Sequence, residues 1–444
     1  MRKDMDMLHG TLWRKILLFA LPLTLTGMLQ QLFNATDIAV VGQFVGKEAM
    51  AAVGCNAPAI NLILHLFLGV GLGVNVVISQ AVGRGDPERI HRTVHTALLF
   101  GLISGILIGA FCIMAAPYLL RLMAVPDNIF SLAETYFRIF FLGLPIIVLF
   151  NISSAIFASR GDTRTPLVSL MISGVANVGL NLLFVVVFKM SVVGVAVATV
   201  VANFLSLSFL LYILVKRSND APTRVEFGKL RIYTRELRLF LKIGLPAGMQ
   251  GMVFAVSNIC IQSAVNALGS DIMAASAAAF NIEIFAFYVI SGFGQACTTF
   301  VGQNFGAGFM DRCRLVLRQS LMLSLLFTAA FSAVTLYFGS ELLALFNDDP
   351  LVEEYGIIRL EYILFPEVVN SCIEVFSGAM RGLGNSLTPA ITALVGICGC
   401  RILWVVTFYQ VAPSFERLMA CYPLSWIVTV IPLGIFCLRK FRRL

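Results

Sequence analysis

The chain falls on itself when displaced by 223 positions. Gly46 then meets Gly269, the triplet Met50-Ala51-Ala52 meets Met273-Ala274-Ala275, and Gly69 and Gly71 meet Gly292 and Gly294. Gln80, Gly83 and Gly85 meet Gln303, Gly306 and Gly308, and Ser154, Gly161, Thr165 and Pro166 meet Ser377, Gly384, Thr388 and Pro389. The register slips by one residue near the start, where Pro22 matches Pro246. One offset held over so long a stretch means two copies of a single unit, so whatever fold forms is built twice.

Composition says what kind of unit it is. With 59% hydrophobic residues, 13% charged residues and a mean hydropathy of +0.89, the chain is no ordinary soluble protein. Twelve apolar runs, six per copy, lie near 16–41, 53–79, 94–116, 131–157, 166–188, 192–215, 240–266, 273–301, 315–338, 355–380, 388–410 and 418–438. A helix needs about 20 apolar residues to cross a bilayer, and these runs are long enough. Lipid offers backbone groups no partner, so such spans are helical; the alternation of a membrane barrel is absent. The expected fold is an all-α integral membrane protein, with twelve transmembrane helices in two six-helix lobes around a central cavity. Residues 1–215 and 239–444 form the lobes and 216–238 a cytoplasmic linker. Basic and apolar residues alternate from Arg224 to Arg238, which suits either a short amphipathic helix on the membrane or a solvated connection.

Charge sets the orientation. Of the 32 Lys and Arg residues, the odd-numbered loops keep Lys47, Arg121, Lys189 and Arg417, while Arg138 and Arg359 start spans and Arg401 lies inside one. The remainder fall in the termini and even-numbered loops or, for Lys242 and Arg318, just inside the cytoplasmic starts of the spans that follow, which puts both ends in the cytoplasm. An even number of spans per copy gives both copies one topology, and same-topology halves flanking a central site are the architecture of secondary transporters. The net charge of +8 is then a basic rim against lipid headgroups and not a nucleic-acid surface. The N-terminal MRKDMDMLHGTLWRK lacks the features of a cleaved signal peptide. There is no GxxxxGK[ST] loop, no HExxH and no CxxC; the histidines (His9, His65, His91, His95) are scattered. No cofactor is expected.

An ionisable side chain inside a span costs several kcal/mol and is a functional candidate by default. Asp37 is the strongest, deep in the first span with no Lys or Arg within a turn of it. Desolvation penalises its charge, which suits it to take up a proton, or to bind Na⁺ (the one metal ion considered) if neighbouring oxygens close around it. Asn177 and Asn181 of the fifth span, four apart, share a helix face, and Thr199 of the sixth span adds a hydroxyl. Oxygen ligands of this kind suit a hard cation. In the second copy Glu283 lies near mid-span, Glu367 and Glu374 share a face of the tenth span, and Arg401 sits in the eleventh, where a glutamate is expected to neutralise it. Arg359 and Glu361 stand near a membrane edge and are read as solvated. Asn34, His65, Glu283, Glu374 and Arg401 are candidates for lining a substrate cavity. Position 37 maps onto Cys260, and positions 177 and 181 onto Cys400 and Trp404: the frame is symmetric and the chemistry is not.

The set of these features resembles the multidrug and toxic compound extrusion (MATE) family. The resemblance rests on Pro22, Gln31, Asn34 and Asp37 in the first span, the stretch that follows it, QAVGRGD, the SRGDTRTP and RGLGNSLTP loops, and NVGLN. It covers essentially the whole chain and implies a cation-coupled antiporter, working as a monomer in the cell (inner) membrane. Such a protein exchanges H⁺ or Na⁺ for drugs or toxic organic compounds that are bulky and often cationic or aromatic. Carried over to this sequence, Asp37 holds the coupling ion and Asn177, Asn181 and Thr199 are its polar partners. Two positions depart: Asn181 and Asn370 stand where some relatives carry Asp, and the second departure bears on any separate ion site in the C-terminal lobe. Two other readings compete. A flippase for lipid-linked oligosaccharides of the same superfamily calls for an arginine-rich cavity. A membrane-embedded enzyme calls for a close carboxylate pair, and Glu367 and Glu374 lie about 10 Å apart along their helix.

Overall fold

Backbone groups surrounded by apolar side chains have only one another to bond, and the structure is accordingly helical. A computed structural model describes residues 5–217, 222–346 and 349–443, so the linker stretch 218–221 lies outside the described residues. Among the described residues ten helices are each long and apolar enough to cross a membrane. In the first half of the chain these are Leu12–Phe44 (first span), Lys47–Arg84 (second), Pro87–Leu122 (third), Arg164–Val187 (fifth) and Ser191–Lys216 (sixth). In the second half they are Thr234–Asn266 (seventh), Ser270–Gly306 (eighth), Met310–Tyr337 (ninth), Leu387–Val411 (eleventh) and Phe415–Arg442 (twelfth). The fourth and tenth spans are bent pairs, Asp127–Leu142 with Leu144–Ser159 at 46° and Pro350–Leu364 with Glu367–Gly382 at 41°. The fold is thus the expected all-helical multi-pass one, with twelve spans among the described residues when each bent pair is taken as one.

The repeat is visible in the backbone. Gly46 and Gly269 take φ of 123° and 118°, Gly85 and Gly308 take 66° and 79°, and Gly161 and Gly384 take 91° and 84°. Each pair holds the 223-residue offset and ends or opens a span at the same place in its copy. The two bends also correspond, yet different prolines make them. Pro145 follows the break at Gly143, whereas Pro366 stands at the break itself. A proline removes one helical N–H and crowds the carbonyl four residues back, so either placement interrupts the helix.

Two compact units divide the chain: Leu25–Gly244, and Met5–Thr24 together with Leu245–Leu444. These bounds differ from the lobes read off the sequence (1–215 and 239–444) because the helix that opens each copy begins in the other copy's unit. In the first unit the start of the seventh span lies directly on the second. Phe240 is fully buried, meets Phe100 edge to face at 5.8 Å, and the backbone at Gly244 touches that at Gly69 and Val70 too closely for a Cβ on Gly244. In the second unit the start of the first span lies on the eighth, with Phe19 edge to face on Phe300 at 5.6 Å.

The segments leading into those two helices are strapped down as well. Arg224–Arg238 forms no amphipathic helix of its own: it makes one 3₁₀ turn, Phe227–Lys229, before the seventh span starts at Thr234. Its backbone is spoken for by the first unit. The N–H of Val225 donates to the Leu214 carbonyl (3.2 Å), that of Glu226 to Nε2 of buried His95 (3.1 Å), and that of Tyr233 to Oγ1 of Thr96 (3.0 Å). In the second unit Met7 is fully buried and its carbonyl accepts from Asn304 Nδ2 (3.2 Å), while the Gly10 carbonyl accepts from Arg312 (3.0 Å).

Candidate functional site

Three helices of the first unit bring one carboxylate together with neutral polar groups. Asp37, 6% exposed, comes from the first span. Asn177 and Asn181 come from one face of the fifth span, whose α-helix ends at Asn181 and widens into a π-helical turn over Leu182–Val187. Thr199 comes from the sixth. Nδ2 of Asn181 donates to Asp37 Oδ1 at 2.5 Å and also reaches Asn177 Oδ1 at 3.2 Å. The Thr199 hydroxyl lies 3.0 Å from Asp37 Oδ2 and 3.0 Å from the Val195 carbonyl, with a single proton to give to either. Asn203 braces this turn by donating to the Thr199 carbonyl at 2.8 Å. The structure therefore groups all four residues that the sequence singled out for an ion.

This arrangement accommodates two protonation states with one hydroxyl rotation. When Asp37 is charged, each of its oxygens receives a hydrogen bond from a neutral donor. When a proton sits on Oδ2, that proton is donated to Thr199 Oγ1 and the threonine proton turns to the Val195 carbonyl. Asn181 Oδ1, fully buried, has no hydrogen-bond partner and is the acceptor left over in the group.

The second unit handles buried charge differently. Arg359 grips Glu283 with two parallel bonds, Nη2 to Oε1 at 2.6 Å and Nε to Oε2 at 3.1 Å, and gives Nη1 to Ser276 Oγ at 2.5 Å. Its guanidinium stands 5.9 Å from the rings of both Phe280 and Tyr422. Arg401 gives Nε to Ser425 Oγ at 3.0 Å and Nη1 to Asn258 Oδ1 at 3.1 Å, and stacks 4.2 Å from the Tyr422 ring centre. Two expectations are corrected here. Arg359 is 4% exposed, not solvated, because its acid and its two rings enclose it. Among the described residues Arg401 makes no direct ion pair: its bonds go to neutral groups and an aromatic face, its charge is felt by Glu283 and Glu367, and Glu374 lies 3.7 Å from Arg381. Glu367, 3% exposed, accepts from Asn370 at 2.9 Å.

The other cavity candidates join neither group. Asn34 is exposed on the first span, one turn before Asp37. His65 spends Nδ1–H on the carbonyl of Asn61, four residues back on its own helix, at 2.7 Å. Ser276 and Tyr422 do not stand out in the sequence. Ser276 and Glu283 are seven apart and so share a face, which is the one available signal; their arginine lies 76 residues farther along the chain.

Comparison with known proteins gives one family. The MatE family model matches residues 22–183 and again 246–407, once per copy. The probable multidrug resistance protein YoeA of Bacillus subtilis (strain 168) is 27% identical over 406 residues, covering 88% of this chain and 86% of that protein. The probable multidrug resistance protein NorM of Thermotoga maritima is 24% identical over 395 residues, covering 88% and 84%. A crystal structure of MATE in complex with MaL6 shares the fold with a TM-score of 0.93 at 20% identity, over 100% of this chain and 99% of that one. Matched twice and over most of its length, the chain belongs to the MatE family.

Proposed function

We propose that this protein is a secondary active efflux transporter of the cell (inner) membrane, with both termini cytoplasmic, that exchanges protons for bulky organic compounds by alternating access. Asp37 carries the coupling ion. The family and the names of its relatives support multidrug efflux. The observation that carries the mechanism is a buried carboxylate held by Asn181 and Thr199, with both of its oxygens hydrogen-bonded in either protonation state.

Proton uptake at Asp37 removes a charge from a low-dielectric site and changes what the first span offers the fifth and sixth. The packing of these helices shifts only as far as the ion's affinity differs between two states. Proton and substrate therefore oppose one another, each weakening the other's binding by the same factor. Sodium is the alternative ion. It needs oxygens pointing inward, whereas Asn181 and Thr199 present donors; accepting Na⁺ requires the Asn181 amide to turn over and offer its unpartnered Oδ1. Exposed Asn34, on the helix of Asp37, is assigned to substrate contact, together with His65. Glu283, Glu374 and Arg401, each engaged inside its own unit, steady the frame. The lipid-linked oligosaccharide flippase is disfavoured, because the buried arginines are committed to partners and do not form a free anion cradle. The transporter acts as a monomer.

The test is dye efflux from reconstituted vesicles with a pH gradient and a Na⁺ gradient imposed separately. Efflux driven by the pH gradient and lost in Asp37→Asn is the expected result. Drive by Na⁺ alone reassigns the ion, and normal efflux in a correctly inserted Asp37→Asn removes Asp37 from the mechanism.

A further inference from the structure

The first and fifth spans meet twice along one seam. Both run in the same direction through the membrane, being odd-numbered in an alternating topology. Asp37 faces Asn177 and Asn181, and one turn earlier Phe33 faces Gly174. Phe33 precedes Asp37 by four residues and Gly174 precedes Asn177 by three, so each stands on the same face as the polar residue that follows it. The contact is unusually close. A Cβ placed on Gly174 would coincide with the tip of the Phe33 ring, touching Cζ, Cε2 and Cε1 at once. The ring is rigid and enters the seam end-on, so it has no flexible terminus to swing aside.

We infer that Phe33 and Gly174 are the positioning pair that sets the gap between the Asp37 carboxylate and the amides of Asn177 and Asn181. This deepens the reading of Asp37 as the coupling group and rests on it. A hydrogen bond of 2.5 Å tolerates about 1 Å of lengthening before it ceases to be one. Adding a methyl at position 174 demands more room than that, and the helices meet it by parting at the turn next to the site. Thr199 approaches Asp37 from the sixth span and is not carried along, so the two oxygens of the carboxylate are affected unequally.

The second copy supplies an internal control. At the offset that pairs Asp37 with Cys260, Phe33 corresponds to Val256, and Gly174 corresponds to Ile397. The seat of ring on glycine is missing where the carboxylate (Cys260) and the amides (Cys400, Trp404) are missing too. Helix packing alone would favour such a seat in both copies; its presence in one follows the polar site.

The experiment compares wild type, Gly174→Ala, Phe33→Leu, the double variant and Asp37→Asn in proton-driven dye efflux, and reads the pH midpoint of substrate affinity in detergent. Gly174→Ala is expected to insert but melt at a lower temperature, to lose about tenfold in efflux per folded molecule, and to move the pH midpoint, as loss of a hydrogen bond to a charged group implies. Phe33→Leu causes a smaller loss. The double variant pumps faster than Gly174→Ala alone, since shortening the ring restores the room the methyl took. Wild-type efflux and midpoint in Gly174→Ala, or a double variant no better than Gly174→Ala, overturns the pairing while leaving Asp37 in place. Normal efflux in Asp37→Asn overturns the coupling reading itself. Should Gly174→Ala fail to insert, an unmoved midpoint in Phe33→Leu serves as the overturning result.

Discussion

Asp37 of the first unit and Glu283 of the second make a natural pair for comparison, because one repeated frame holds them in opposite ways. Asp37 meets two neutral donors, one on each oxygen. Glu283 meets a guanidinium that takes both of its oxygens, and that guanidinium is boxed in by a serine and two rings. Neutral donors stabilise a carboxylate without fixing its charge, so the first arrangement can change state. A bidentate ion pair in low dielectric locks both charges, since neutralising one partner strands the other. The frame is duplicated, but of these two acids only Asp37 keeps the freedom to titrate; in the second unit that freedom is left to Glu367, which accepts from the neutral amide of Asn370.

The sharpest way to break this contrast is Asp37→Asn, expected to abolish proton-driven efflux while melting temperature and membrane insertion stay at wild-type values. The mirror experiment is Arg359→Met. Leaving Glu283 buried without its partner is expected to destabilise the protein by about 3–5 kcal/mol, read as a lowered melting temperature. Efflux per folded molecule is expected to remain measurable, and a variant that folds normally but no longer pumps would move the second cluster from frame to mechanism. Asn181→Ala comes next, with efflux reduced about ten- to a hundredfold by loss of the donor to Oδ1, measured in the same vesicles. The smallest effect belongs to the straps. His95→Ala leaves the Glu226 N–H without its acceptor at a cost of about 1–2 kcal/mol, so amide exchange in 222–233 quickens roughly tenfold or more. Exchange around Met7 and Gly10, held by Asn304 and Arg312, is expected to stay as it is.

Much of this was legible in the residues. The twelve spans follow from the length of the apolar runs, and the glycines that turn the chain between them betray the repeat. Asp37 stands out because nothing near it in sequence explains a charge in that place, and Asn177 and Asn181 because four residues make one helical turn. Arg359 was misplaced for a physical reason. Sequence position puts it at the edge of a span, but the break before Glu367 allows the first half of the tenth span to take its own direction, and its acid is 76 residues away. The seat of Phe33 on Gly174 was equally out of reach, since a glycine in a span announces closeness to something without saying to what. The linker was left open between two readings, and the backbone acceptors that decided it belong to the third and sixth spans.

The exchange of helix beginnings has a consequence for how the molecule comes into being. A ribosome that has finished the sixth span has not supplied everything the first unit packs, because that unit runs on to Gly244. Met5–Thr24 wait longest: Phe300, Asn304 and Arg312, against which they settle, are synthesised nearly 300 residues later. Domain-by-domain maturation, the usual course for a long chain, is closed to this one. A chain cut within the linker yields fragments that each hold the other's missing helix end, and so should reach the native state together or not at all.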